Sequence, residues 1–158
     1  MMKHLKKFKI FESQEKYDIF DAIENNDIKT IKEYFDNDGD PNIIDFNKNN
    51  LLTYACKTPD IIDFDIIKLL IDNGVDVNYD KNNRNTPLIL CSYYNKIDEC
   101  KLLIDAGADM WFEDMFNHNS LYFIFKHKND ELLQWLKENY YSDWKKFFRE
   151  KKANEFNL

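Results

Sequence analysis

Two segments of this chain, thirty-three residues apart, are nearly the same. KLLIDNGVDVN (68–78) and KLLIDAGADMW (101–111) agree at Lys, Leu, Leu, Ile, Asp, Gly and Asp. A fixed period of this length is a strong constraint on the fold. One unit cannot bury its apolar face alone, so units must stack into a quasi-one-dimensional array. Upstream of the second copy lies NTPLIL (85–90), with Leu88 nineteen residues before Gly107. The same spacing finds two weaker copies: Ile19 precedes Asp38, and Leu121 precedes Tyr140, by nineteen residues each. A further copy, residues 50–74, has twenty-two residues between Leu52 and Gly74. Its extra length falls around Thr58-Pro59-Asp60, between two expected helices, where loop closure tolerates insertion.

Within a copy the pattern is two short helices and a turn. Thr86 is suited to cap the first helix, with Pro87 at the first helical position, where its missing N–H costs nothing. The second helix presents Ile66, Ile67, Leu69, Leu70 and Ile71, and in the next copy Cys100, Leu102, Leu103 and Ile104. That is too apolar for a lone surface helix, so neighbours must cover it on both sides. Gly74 and Gly107 then fall just past the helix end, where a left-handed residue closes the cap. In the first copy Asp38 takes that slot and Gly39 follows it. Insertion residues Ile61, Ile62 and Phe64 are expected to lengthen the helix into the core, or to form a further contact.

The chain has 158 residues, of which 44% are apolar and 16% aromatic, enough for one domain with a core and too few for two. No apolar run approaches the roughly 18 residues of a membrane span. The start, MMKHLKKFKIF, lacks the apolar stretch of a secretory leader. The three cysteines, Cys56, Cys91 and Cys100, have no disulfide-framework spacing, so reduced thiols in a cytoplasmic setting are expected. Lys outnumbers Arg 20 to 2, and Asn (19) and Ile (16) exceed Ala (5). This is the bias of an AT-rich viral, phage or bacterial genome. Charge is uneven: residues 1–10 carry +4, residues 144–158 carry +3, and the body between them −14. So acidic a body repels a phosphate backbone, which argues against nucleic acid as partner.

TPLILCSYYNKIDECKLLIDAGADM resembles the ankyrin repeat, with TPL, the Leu pair and GAD in register. The resemblance covers roughly residues 17–140 as four repeats: 17–45, 46–80, 81–113 and 114–140. It departs at Ile89, which replaces the usual His of the turn, at Leu51 and Ser120, which replace Pro, and at Trp111, which replaces the Asn kept at 42 and 78. It implies an all-α helical repeat solenoid with short β-turn finger loops. The basic segment 1–16, with Leu5, Phe8 and Phe11, is expected to extend or cap one end. Residues 141–158 are expected to form a capping helix, started by Ser142 and packed through Trp144, Phe147 and Phe148.

No catalytic residue, cofactor ligand or metal set emerges. The glycines are spaced as helix caps rather than as a phosphate loop. The histidines have no zinc-ligand spacing. Cys91 and Cys100 align with core slots, and the acidic residues fall on solvated helix faces, so the chain reads as no enzyme.

What the resemblance implies instead is protein binding through the fingers and the exposed surface of each first helix. The finger positions hold Phe46 and Asn47, then Asn82 and Asn83, then Met115, Phe116 and His118. The first-helix positions hold Lys57, then Tyr93 and Tyr94, then Lys126 and His127. Tyr93 and Tyr94 are expected either as interface anchors or, for one of them, as packing against the helix of Cys56 and Lys57. Trp111, Met115 and Phe116 stand in a loop otherwise marked by Gly, Asp and Asn. They are covered either by the C-terminal helix or by a partner. Within that loop Met110 is expected to pack inward, and Phe112 to join a row with Tyr79 and Ile43. Two functions follow as expectations: a module that captures another protein, such as a host factor, or an assembly protein that homodimerises through its apolar C-terminal end.

Overall fold

A computed structural model describes residues 19–57, 62–80, 85–142 and 145. Apart from an isolated antiparallel bridge between Ile44 and Asn50, regular structure among these residues is helical. The helices are α1 (described over 19–24), α2 (Ile28–Asp36), α3 (Leu51–Lys57), α4 (Phe64–Asp72), α5 (Pro87–Tyr93), α6 (Ile97–Asp105), α7 (Ser120–His127) and α8 (Asp130–Asn139). First helices stack on first helices, α3 on α5 on α7, and second helices on second helices, α2 on α4 on α6. The arrangement is a two-layered helical solenoid.

The first helices α3, α5 and α7 each start on a polar side chain that accepts a backbone N–H, because the first turn leaves its own amides unsatisfied. Thr86 Oγ1 accepts from Ile89 at 3.3 Å, Asn50 Oδ1 from Thr53 at 2.8 Å and Asn119 Oδ1 from Tyr122 at 3.0 Å. Where Ser120 stands in place of Pro, its hydroxyl donates to the Met110 carbonyl at 3.1 Å, tying the fourth first helix to the turn before it.

The second helices end as their spacing predicts in three copies. Gly74 and Gly107 have φ of +81° and +89°, and Asp38 takes the left-handed slot at +60°. Tyr140, the fourth occupant, does not: its φ is −128°. Gly39 has another reason to be glycine, since a β-carbon there would collide with the ring and carbonyl of Tyr34. The Tyr34 hydroxyl donates to the Asp40 carbonyl at 2.9 Å across the same turn.

Between the layers Leu52, Ile66, Ile67, Leu70, Leu88 and Leu103 are wholly buried, continuous with Ile23 and Ile31 at one end and Leu132 and Leu136 at the other. The apolar second helices are covered on both sides, as expected. All three cysteines are buried thiols. The neighbouring Cys56 thiol and then burial push Cys91 well above its ordinary pKa, and burial does so for Cys100.

Two local expectations are corrected. Helix α4 begins only at Phe64, capped by Asp63, and Phe64 lies at the surface while Ile62 is buried. The Asp63 cap stops the helix short, so the insertion does not lengthen it into the core. Tyr141 and Ser142 are both helical, so that helix starts ahead of Ser142. Leu5, Phe8 and Phe11, the insertion 58–61, Asn82 and Asn83, and Trp144, Phe147 and Phe148 lie outside the described residues.

Candidate partner-binding surface

The two described fingers, 45–49 and 114–118, are each built around one aspartate. Asp45 accepts from the Asn49 backbone N–H at 2.7 Å and from its side-chain amide at 2.8 Å. Asp114 accepts from the backbone N–H groups of Phe116 and His118, both at 2.8 Å. Backbone pairs close the same turns, and Lys48 and Asn117 adopt the left-handed conformation at equivalent positions. With the carboxylate inside the turn, the intervening side chains point outward. Phe46 is 77% exposed, Met115 71% and Phe116 69%.

Side chains from the third and fourth repeats converge on one aromatic string. Tyr93 meets Tyr94 edge to face at 5.0 Å and Phe123 at 5.4 Å. Phe123 continues to Tyr122 at 5.2 Å and to His118 at 5.7 Å. His118 stacks flat on Tyr122, 3.8 Å apart, and Phe116 lies 6.2 Å beyond it. The Lys126 ammonium sits 5.9 Å above the Tyr122 ring, a cation–π distance. Tyr93 remains 53% exposed.

Six of the residues singled out from sequence (Tyr93, Tyr94, Phe116, His118, Lys126 and His127) thus lie in one neighbourhood. Met115 adjoins them in the chain. Phe46, Asn47 and Lys57 belong to the second repeat instead. The ring of Tyr93 leans on α7, in the following repeat. The His127 ring nitrogen sits 2.9 Å from the Tyr93 carbonyl, so this histidine also joins α7 to α5. Trp111 is half-buried against the core, whereas its neighbours Met115 and Phe116 are exposed. Met110 is buried as expected, and Phe112, Tyr79 and Ile43 are all half-buried.

Sequence reasoning missed Tyr122 and Phe123, the link between Tyr93 and His118. Tyr122 shares the first-helix phase of the buried Thr53 and Ile89, so the period marks it as a packing position. Another link lies at the opposite end, where the Tyr54 hydroxyl donates to Glu24 at 2.9 Å. Burial and then this carboxylate push the Tyr54 pKa up to about 12. No helix among the described residues is long and apolar enough to cross a membrane. No grouping of His, Cys, Asp and Glu there could hold a metal ion.

Stacked helix pairs, Asp-built fingers and an exposed row of first-helix side chains define a helical repeat scaffold. A family model described as "Ankyrin repeats (3 copies)" matches residues 19–114, more than half of the chain. The chain belongs to the ankyrin repeat family. It is similar to a putative ankyrin repeat protein of Acanthamoeba polyphaga mimivirus, 34% identical over 76 residues. That stretch is 48% of this chain and 46% of the relative, so the match spans about half the relative's length. Repeats of this family generally serve as protein–protein interaction modules.

Proposed function

We propose that this protein is a non-catalytic, cytoplasmic module of four repeats, 17–140, that captures another protein along its finger and first-helix face. Tyr93, Tyr94, Phe46, Met115 and Phe116 are the central contacts. Lys57, Lys126 and His127 form the rim, with Asn47, Asn82 and Asn83 on the fingers. The observation that carries this reading is the aromatic string from Tyr94 to Phe116, open to solvent at Tyr93 and Phe116 although it runs through the buried Phe123. Exposed aromatic and Met side chains grouped at one place mark protein contact surfaces. The genome bias and the mimivirus relative suit a viral protein that engages a host factor.

The test is affinity capture from the source or host cell with Tyr93→Ala/Tyr94→Ala as control. Each anchor is expected to contribute on the order of 2 kcal/mol to binding, so the double variant loses the partner. Tyr93 also packs on Phe123, so a melting temperature lowered by a few degrees is compatible with this reading. A collapse of the fold shows instead that these tyrosines are core. Exposure of Met115 and Phe116 supports a second reading, a homodimer through the C-terminal end. Sedimentation would then give twice the chain mass, reverting to one with Phe116→Asp.

A further inference from the structure

The aromatic string runs through a part of the chain that carries no acid. Residues 81–97 and 115–129 hold no Asp or Glu, in a chain that has 29 of them and a net charge of −7. Two contacts join these runs into one surface. The His127 ring nitrogen meets the Tyr93 carbonyl at 2.9 Å, and the Asn129 amide donates to the Asn95 side-chain oxygen at 3.1 Å. Lys126, above the Tyr122 ring, and Lys128 are exposed beside them. Neither has a carboxylate partner among the described residues, whereas Lys29, Lys68 and Lys101, all on second helices, are each ion-paired. Helix polarity favours cations at a C-terminal end but does not explain these two. Helices α2, α4 and α6 end on Asp36, Asp72 and Asp105, with no basic residue in the last turn. Of the carboxylates that border the runs, Asp114 is buried with one oxygen on two finger amides, and Glu113 is half-buried. Asp98 and Asp130 open the second helices α6 and α8, and Asp98 pairs with Lys101.

We propose that the occupant of the aromatic string is an acidic segment of the partner protein, with a large apolar side chain on the exposed Tyr93 ring and carboxylates beside it toward Lys126 and Lys128. The proposal rests on reading this face as the partner-binding surface, and adds the charge of the partner. Two ammonium groups next to exposed rings make a local field that a carboxylate lowers and a second ammonium raises. The acids of the second repeat, Asp45, Asp76 and Asp80, belong to turns before α5 and not to this end of the molecule. A nucleic-acid strand is the poorer occupant, because a long polyanion meets the negative charge of the whole chain. A short segment with few carboxylates meets mainly the charges within a Debye length, about 8 Å at physiological salt.

The experiment is an NMR titration of the ¹⁵N-labelled full chain with the peptide acetyl-Glu-Glu-Leu-Phe-Glu-Glu-amide, beside counterparts carrying Gln or Lys in place of Glu. The glutamate peptide is expected to shift the amides of Tyr93, Phe123 and Lys126. It should bind roughly fivefold tighter than the glutamine peptide, as two exposed ion pairs allow, with the lysine peptide weakest. The gap should shrink in about 1 M salt, where the Debye length is near 3 Å. Lys126→Gln/Lys128→Gln should remove the preference with the melting temperature held within a few degrees, and Lys126→Glu/Lys128→Glu should turn it toward the lysine peptide. Four results overturn the proposal: a silent glutamate titration, equal affinity for the glutamine peptide, preference of the unaltered chain for the lysine peptide, or tighter binding of a four-nucleotide DNA strand. Equal binding of the glutamate and glutamine peptides at Tyr93 would end the charge reading and leave the partner surface standing. Capture that survives Tyr93→Ala/Tyr94→Ala would end the surface reading itself, so the two fail separately.

Discussion

The joint between the second and third repeats and the joint between the third and fourth are made differently. At the former, the Asn78 side chain bridges two strands of turn: its amide donates to the Gly107 carbonyl at 3.1 Å, and its oxygen accepts from the Asp109 N–H at 2.7 Å. Thirty-three residues later the same slot holds Trp111, whose indole has no acceptor and cannot repeat the bridge. Beside the Ser120 and His127 bonds to backbone carbonyls, the joint between the third and fourth repeats uses side-chain pairs: Lys101 to Glu131 at 2.7 Å, the Tyr140 hydroxyl to Asp105 at 2.7 Å, and the aromatic packing of Tyr93 on Phe123. A joint built from backbone and amide bonds is uniform and leaves little surface character. A joint built from aromatic side chains leaves some of them exposed, and that is where the candidate anchors lie.

The difference should be largest in the core. Leu70 is wholly buried on α4, between α2 and α6, so Leu70→Ala leaves a cavity that two neighbouring repeats share. We expect a loss of about 3 kcal/mol in urea unfolding. Leu136→Ala, on the last described second helix, should cost less and unfold the fourth repeat ahead of the rest, since among the described helices α8 packs chiefly on α7. Hydrogen exchange would separate the two cases. Equal losses with one shared transition would break the comparison and make the joint between the third and fourth repeats as strong as the others.

Asn78→Ala comes next. It removes both arms of the bridge at an exposed turn where water can replace them, so a loss of roughly 1–2 kcal/mol is expected. Trp111→Ala should act on different observables. Its half-buried ring packs on the core, so stability falls through lost apolar contact, and no bridge is broken. A double-mutant cycle between Asn78 and Asp109→Pro, which deletes the accepted N–H, would show coupling at the former joint.

How much of this was legible follows from what the period encodes. Helix pairs, caps and core rows repeat, so Thr86, Gly74, Gly107 and the Ile66–Ile71 run could be read from one copy into the next. Asp38 was also readable as a left-handed cap, because Asp tolerates that conformation better than most residues. The direction in which Tyr93 leans was not readable. It depends on Phe123, which lies in the same phase as Tyr54 and Leu90, and a period cannot say which of two neighbouring repeats an aromatic ring will choose. The insertion misled in its own way: an apolar stretch suggested more helix, while the Asp63 cap set the start of α4 at Phe64.

The smallest effect gives the sharpest test, because it has opposite signs in the two regions. Gly107 sits at φ +89° with open space where a β-carbon would point, so Gly107→Ala meets no clash and pays only for the left-handed backbone. We expect a loss of about 1 kcal/mol. At the end of α7 the left-handed cap is Lys128, at φ +53°, already bearing that strain on an exposed side chain. Lys128→Gly relieves the strain but gives the unfolded chain more freedom, so the net gain should be a few tenths of a kcal/mol and less than 1. Tyr140→Gly, in the slot that matches Gly107 but at φ −128°, should destabilise, because glycine brings only entropy there and the hydroxyl bond to Asp105 is lost. If Tyr140→Gly stabilised instead, the fourth repeat would be a regular repeat held out of shape by its tyrosine. It would then be no distinct, side-chain-built end.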